Sequence, residues 1–140
     1  MIEYIINNLL SLDTPHVKFI SPDQSILFRD ALKRLQGEGY AVYWMDFSDA
    51  DGELAVLTKF SNAVSGPSEM TSWGVFEDWL YDLSWIDARK SGHFFHMANA
   101  RDFWQEQTLL AGQLTEELES IALHWMKKSG VKFASLYELA

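Results

Sequence analysis

The most informative segment of the chain reads Tyr40-Ala41-Val42-Tyr43-Trp44-Met45-Asp46-Phe47. Aromatic and β-branched residues in such a run favour a well-buried strand. A shorter apolar run at residues 17–20 predicts another strand, and Ser21-Pro22-Asp23 can open a helix because proline suits the first helical turn. Gly37 and Gly39 close that helix, whose predicted buried stripe consists of Ile26, Leu27, Ala31, Leu32 and Leu35. The order is therefore strand, helix, strand.

Apolar residues at helical spacing predict helices on both sides of this unit. An N-terminal helix spans Ile2 to Leu12 and ends at Asp13-Thr14-Pro15. A second helical stretch places Leu54, Leu57 and Val64 inward. Ser65-Gly66-Pro67-Ser68 then breaks the chain before a helix that runs from about Trp73 to Trp85, with Phe76, Trp79, Leu80 and Leu83 facing the core.

The C-terminal third continues the alternation. Gly92 to Ala98 predicts a buried strand, and Asn99 to Asp102 a polar turn after it. Thr115 is the expected cap of a last helix, and Val131 to Tyr137 the final strand. Alternating strands and helices favour an α/β fold with a small, mostly parallel sheet of three or four strands flanked by helices. We expect one domain, residues 1–140.

The composition excludes several classes of binding partner and of active site. The chain has 20 acidic and 11 basic residues, a formal net charge of -9, and no cysteine. Such a chain repels phosphate backbones and anionic membranes, so we expect no direct binding to nucleic acid or membrane. Without cysteine, thiolate nucleophiles and cysteine-ligated zinc are excluded. The apolar N-terminal stretch has polar breaks and no basic region before it, so we expect no signal peptide and a cytoplasmic location.

The acidic residues are unevenly distributed. Residues 41–87 contain nine acidic side chains and one basic side chain, Lys59. On a helical wheel of residues 73–85, the side opposite the core carries Gly74, Asp78, Tyr81, Asp82 and, if the helix extends that far, Trp85. Two readings remain open: an electrostatic surface for a basic partner, or carboxylates that favour the helix N-terminus and are otherwise solvated.

The same segment carries a family resemblance. Its sequence is similar to the signature of the barstar family over Trp73-Gly74-Val75-Phe76-Glu77-Asp78-Trp79-Leu80-Tyr81-Asp82-Leu83-Ser84-Trp85. Residues 40–47 resemble the family's first strand, 93–103 its middle strand and following turn, and 118–137 its last helix and strand. Residues 1–39 would then be an N-terminal extension to a barstar-like core at residues 40–140, with Val17 to Gly39 resembling the extension of longer family members.

This resemblance implies an immunity protein or antitoxin that occludes the basic active site of a toxic ribonuclease or other nuclease in a 1:1 complex. Asp78 matches the family's acidic residue that faces the nuclease's catalytic cations. The other partner-binding residues implied by position are Glu69, Trp73, Gly74, Glu77, Tyr81 and Asp82. For Trp73, a place at the core edge and a role as interface anchor both stay open.

Two departures from the family pattern bear on the partner. Gly74 stands where the family has the first of two characteristic aspartates, and Met70 replaces a loop glycine. The partner is therefore expected to differ in detail from the ribonuclease barnase. Glu69, Glu77 or Asp82 could supply the missing charge.

Catalysis and metal binding are weaker interpretations. His93 and His96 would point to opposite faces of a strand, and His16 and His124 lack partners at zinc-site spacing. Asp78 and Asp82 could be the paired carboxylates of a hydrolase, but an exposed helix face lacks the required cleft. We expect no catalytic residues, no metal and no cofactor. The alternative function is a barstar-fold interaction module or regulatory adaptor without a toxin.

Overall fold

The computed structural model describes residues 1–13, 15–66 and 68–140. Thr14 and Pro67, which belong to two of the predicted breaks, lie outside the described residues. The elements, in chain order, are α1 Ile2–Leu10, β1 Val17–Ile20, a 3-10 turn Pro22–Gln24, α2 Ser25–Glu38, β2 Ala41–Asp46, α3 Glu53–Val64, α4 Trp73–Asp82, β3 His93–Ala98, α5 Arg101–Glu106, α6 Thr108–Ser129 and β4 Phe133–Glu138.

The described strands form one parallel sheet in the order β1-β4-β3-β2. The predicted α/β fold with a small parallel sheet flanked by helices is confirmed. The segment before residue 40 contributes β1, an edge strand whose Val17 pairs with Ser135 of β4. The other edge is β2, the strand predicted from residues 40–47.

Alternating side chains of the strands fill two separate apolar layers. One face, with Tyr43, Phe95 and Phe133, packs with the core residues of α3, α4 and α6. The other face, with Val42, Phe94 and Leu136, packs with α1 and α2. Strands that are buried on both faces read as continuous apolar runs, which is why these segments were recognisable in the sequence.

Two predicted boundaries of helices and turns are wrong. Thr115 does not cap a helix, because α6 begins at Thr108 and the Thr115 hydroxyl instead donates to the Ala111 carbonyl one turn earlier, at 2.8 Å. The same hydroxyl lies 2.9 Å from the Tyr137 hydroxyl. Asp102 lies in the first turn of α5 and not in a polar turn.

Three residues predicted to be buried are exposed. Ile26 is 74% exposed because the buried positions of α2 are Ser25, Ala31, Leu32 and Leu35, a stripe that bypasses it. Leu54 is 65% exposed in the first turn of α3, outside the stripe of Val56, Leu57, Phe60 and Val64. Trp44 is 38% exposed because it lies on an edge strand.

Candidate functional site: the acidic surface of helix α4

Helix α4 begins at Trp73 and is capped by Ser72. The Ser72 hydroxyl accepts the Val75 backbone N–H at 3.3 Å, and Phe76 and Leu80 anchor the helix in the core. The helix ends at Asp82, three residues before the predicted Trp85. Leu83 adopts a left-handed backbone with φ of 51°, so its side chain enters the core and the chain leaves the helix.

Three tryptophans attach α4 and the segment after it to α3, α6 and the loop at Gly66. The Trp85 indole N–H donates to the carbonyl of Val64 at 2.7 Å, and that of Trp125 in α6 donates to the carbonyl of Leu80 at 2.8 Å. A Cβ atom added to Gly66 would lie 2.4 Å from the Trp79 ring, so only glycine fits there. Trp85 therefore packs inward; it was expected on the outer face only if the helix extended to it, and α4 ends at Asp82.

The outer face of α4 carries Gly74, Asp78 and Asp82, all exposed. Glu69 is exposed in the preceding loop. Across residues 1–13, 15–66 and 68–140, no hydrogen bond or ion pair reaches the Asp78 carboxylate. From the same described residues, the Asp82 carboxylate accepts one hydrogen bond, from the Ser84 hydroxyl at 3.1 Å. Four of the predicted partner-binding residues thus lie on or beside one open surface.

Glu77 and Tyr81 turn instead toward α6. The Tyr81 ring lies 4.4 Å from the His124 ring, so its predicted place on the outer face is corrected. Glu77 shares a hydrogen bond with Glu117. Burial, that hydrogen bond and the negative charges of Glu77 and Glu116 raise the pKa of Glu117 to about 7. The raised pKa favours the neutral form of the Glu117 carboxyl group below about pH 7.

Trp73 lies at the core edge, one of the two places left open by the sequence, and its role as an interface anchor stays a prediction. Its ring packs edge-on against Phe76, 5.2 Å between centroids, while its indole N–H donates to Glu53 at 2.6 Å. This bond places the Glu53 carboxylate beside the start of α4. Sequence reasoning missed Glu53 because twenty residues separate it from Trp73, and no local spacing signals that α3 and α4 lie side by side.

Gly74 is not required by the backbone or by packing. A Cβ atom there would meet only the Ser72 hydroxyl, at an ordinary 3.7 Å. An aspartate would therefore fit at the position where the barstar pattern has one. Steric crowding therefore does not explain why this chain lacks an aspartate at position 74.

The two histidines of β3 form hydrogen bonds within the core, one on each face of the sheet. The His93 ring nitrogen Nδ1 lies 2.8 Å from the Tyr43 hydroxyl, and burial lowers the pKa of His93 to about 4. His96, on the opposite face, bonds to Glu138 at 2.7 Å. Among the described residues, no group of three or more His, Asp or Glu side chains could hold a metal ion.

We compared the chain with protein-family models, with curated proteins and with solved structures, and found no match in any of the three. No helix in the described part of the chain has both the length and the apolar character needed to cross a membrane. A functional interpretation therefore depends on the residues of the α4 surface and their geometry.

Proposed function

We propose that this chain is a cytoplasmic immunity protein or antitoxin of the barstar type. It binds a basic toxic nuclease 1:1 and blocks the active site with the outer face of α4. The observation that carries this proposal is the state of Asp78 and Asp82, two exposed carboxylates one helical turn apart that no cation of the described chain neutralises.

The only basic residue between positions 41 and 87 does not offset this charge. Lys59 forms an ion pair with Asp49 at 2.5 Å and is 19% exposed. Among the described residues, no cation forms an ion pair with Asp78 or Asp82. Like charges at this spacing destabilise a helix by about 0.2–0.5 kcal/mol unless a cation meets them. A cationic partner would turn this small cost into attraction.

A nuclease active site supplies the matching chemistry, because it must be cationic to hold phosphate. Asp78 and Asp82 would occupy the positions at which the nuclease binds phosphate. The negative field of residues 41–87 would accelerate association of the two proteins. Glu53, held beside Trp73, would supply the charge absent at Gly74, whereas Glu77 faces Glu117 of α6. Glu69 and Gly74 would border the contact.

The test uses the protein encoded by the gene next to this one. Expressed alone, it should kill cells by nuclease activity, and this chain should suppress that activity at a 1:1 ratio. Asp78→Asn with Asp82→Asn should weaken the complex about 100-fold or more, because each desolvated partner cation would lose its carboxylate. Asp30→Asn, an exposed aspartate of α2, is the matched control and should bind normally.

Two outcomes would overturn the proposal. One is a neighbouring product that is neither toxic nor bound by this chain, which would favour an adaptor without a toxin. The other is full inhibition by the double variant, which would show that binding uses a different surface.

A further inference from the structure

Strand β2 leaves one side of its backbone unpaired. It pairs with β3 in parallel, with the Ala41 N–H donating to Gly92 and the Phe47 N–H to Ala98. Backbone groups alternate along a strand, so Val42, Trp44 and Asp46 direct theirs to the other side. No described strand pairs there. An open edge of this kind is a template for another strand.

The edge is also accessible. A groove of about 400 Å³ runs beside the first half of β2, between residues 41–43 and residues 86–89. Arg89 lines it and donates to the carbonyl of Gly37 at 3.0 Å, which places its guanidinium on the α2 side of the sheet. Trp44, farther along the edge, is exposed on that same side and bonds to Gln36 of α2 at 3.2 Å.

The two ends of this edge carry opposite charges. Asp46 is the last residue of β2, and the nearby Asp49 is already paired with Lys59. Arg89 and Lys90 lie at its amino end together with one acidic residue of the groove, Asp87, and the Lys90 N–H donates to the carbonyl of Gly39. Parallel pairing with a second copy would place like charges together, whereas antiparallel pairing would place each acidic end against a basic end.

We propose that two copies of this chain pair antiparallel through β2 and form a continuous sheet across a two-fold axis. Trp44 faces Trp44 of the second copy, and Val42 faces its Asp46. Each of these three residues then exchanges both backbone hydrogen bonds with its opposite. Asp46 of the second copy enters the groove on the side where Arg89 lies, and the two Trp44 rings cover each other as a cross-strand aromatic pair. This inference does not rest on the proposed nuclease partner.

The chain contains no cysteine, so one introduced cysteine reports directly on the register. Directly opposed residues of a hydrogen-bonded antiparallel pair have Cα atoms about 5.5 Å apart, within the span of a disulfide. Trp44→Cys should therefore give a disulfide-linked dimer under mild oxidation. Ile26→Cys, at an exposed position of α2, is the control and should stay monomeric at the same concentration. Equal cross-linking of both variants overturns the proposal.

Light scattering of the wild-type chain over a concentration series should show a dimer. Arg89→Glu and Asp46→Lys should each raise the dimer dissociation constant about tenfold or more, since each places like charges together. The double variant should restore dimerisation, a rescue that loss of an internal contact would not give. A wild-type chain that stays monomeric throughout, or a double variant weaker than either single one, contradicts the two-fold pairing.

Discussion

Glu138 and Asp78 are carboxylates of one chain in opposite surroundings. Glu138, at the carboxyl end of β4, is 1% exposed and is bound by Arg29 through two hydrogen bonds and by His96 through a third. Burial opposes its ionisation, but these bonds outweigh burial and lower the pKa of Glu138 below its usual range. Asp78 lies on the outer face of α4 and has no such partner among the described residues.

Glu138 is a carboxylate whose charge stabilises the fold, whereas the charge of Asp78 has no such structural role in the part of the chain that the structure describes. A buried carboxylate must have internal partners, because an uncompensated ion in the core costs several kcal/mol. The fold therefore supplies Arg29 and His96 to Glu138. Within the described residues it supplies no partner to Asp78, although the chain keeps both Asp78 and Asp82 on one face. The difference predicts that changes at Glu138 affect stability and that changes at Asp78 affect recognition.

The largest expected effect is that of Arg29→Met. It leaves a buried carboxylate with only His96 and should lower the free energy of unfolding by about 2–3 kcal/mol, less than for a wholly buried pair because Arg29 is 42% exposed. The lowered pKa of Glu138 contributes stability above the usual carboxyl pKa, and this is lost as pH falls. Urea unfolding should therefore show the largest loss at neutral pH and a smaller one in acid.

Arg34→Met is the matched control in the same helix. Arg34 pairs with Glu3 at 2.6 Å, but both side chains are exposed, so removing this pair should cost less than about 1 kcal/mol. Equal losses for the two arginines would contradict the view that Glu138 depends on internal compensation.

A smaller effect is expected where α4 meets α6. The pKa of Glu117 is raised to about 7, so the folded chain holds a proton that the unfolded chain releases above pH 4.5. This contribution to stability is complete at low pH and is lost as pH rises through 7. Glu117→Gln should therefore gain stability relative to wild type between pH 5 and 8, by up to about 1 kcal/mol after solvent screening.

Denaturant unfolding at several pH values measures this gain. Glu119→Gln, an exposed glutamate of the same helix, controls for loss of a negative charge and should show no comparable rise between pH 5 and 8. If the difference in free energy of unfolding between Glu117→Gln and wild type did not change with pH, Glu117 would be ionised over the whole range. The interaction between Glu117 and Glu77 would then be absent.

Much of this fold was predictable because the strands consist mostly of apolar residues. Residues 17–20 and 41–46 appear in the sequence as apolar runs, and each is a strand in the structure. The start of α6 was missed because Thr115 followed by two glutamates resembles a helix cap, whereas its hydroxyl bonds within the helix and to Tyr137. A local pattern could not reveal a contact with a strand twenty-two residues away.

The candidate site was predictable only in part. Helical periodicity predicts that Gly74, Asp78 and Asp82 are exposed, because their direction depends only on the geometry of α4 itself. It could not give the positions of Glu77 and Tyr81, which depend on how α6 packs beside α4. It also missed Glu53, whose bond to Trp73 depends on the contact between α3 and α4.

The smallest effect on stability is expected for Asp78→Asn. The variant removes a charge that no described residue neutralises and relieves its repulsion with Asp82, so the free energy of unfolding should change by less than about 0.5 kcal/mol, toward stabilisation. Thermal or urea unfolding at neutral pH, compared with Arg29→Met, measures the difference. A loss above about 1 kcal/mol would show that Asp78 has an internal structural role like that of Glu138. A near-zero change together with weakened partner binding would show that the chain keeps this carboxylate for recognition.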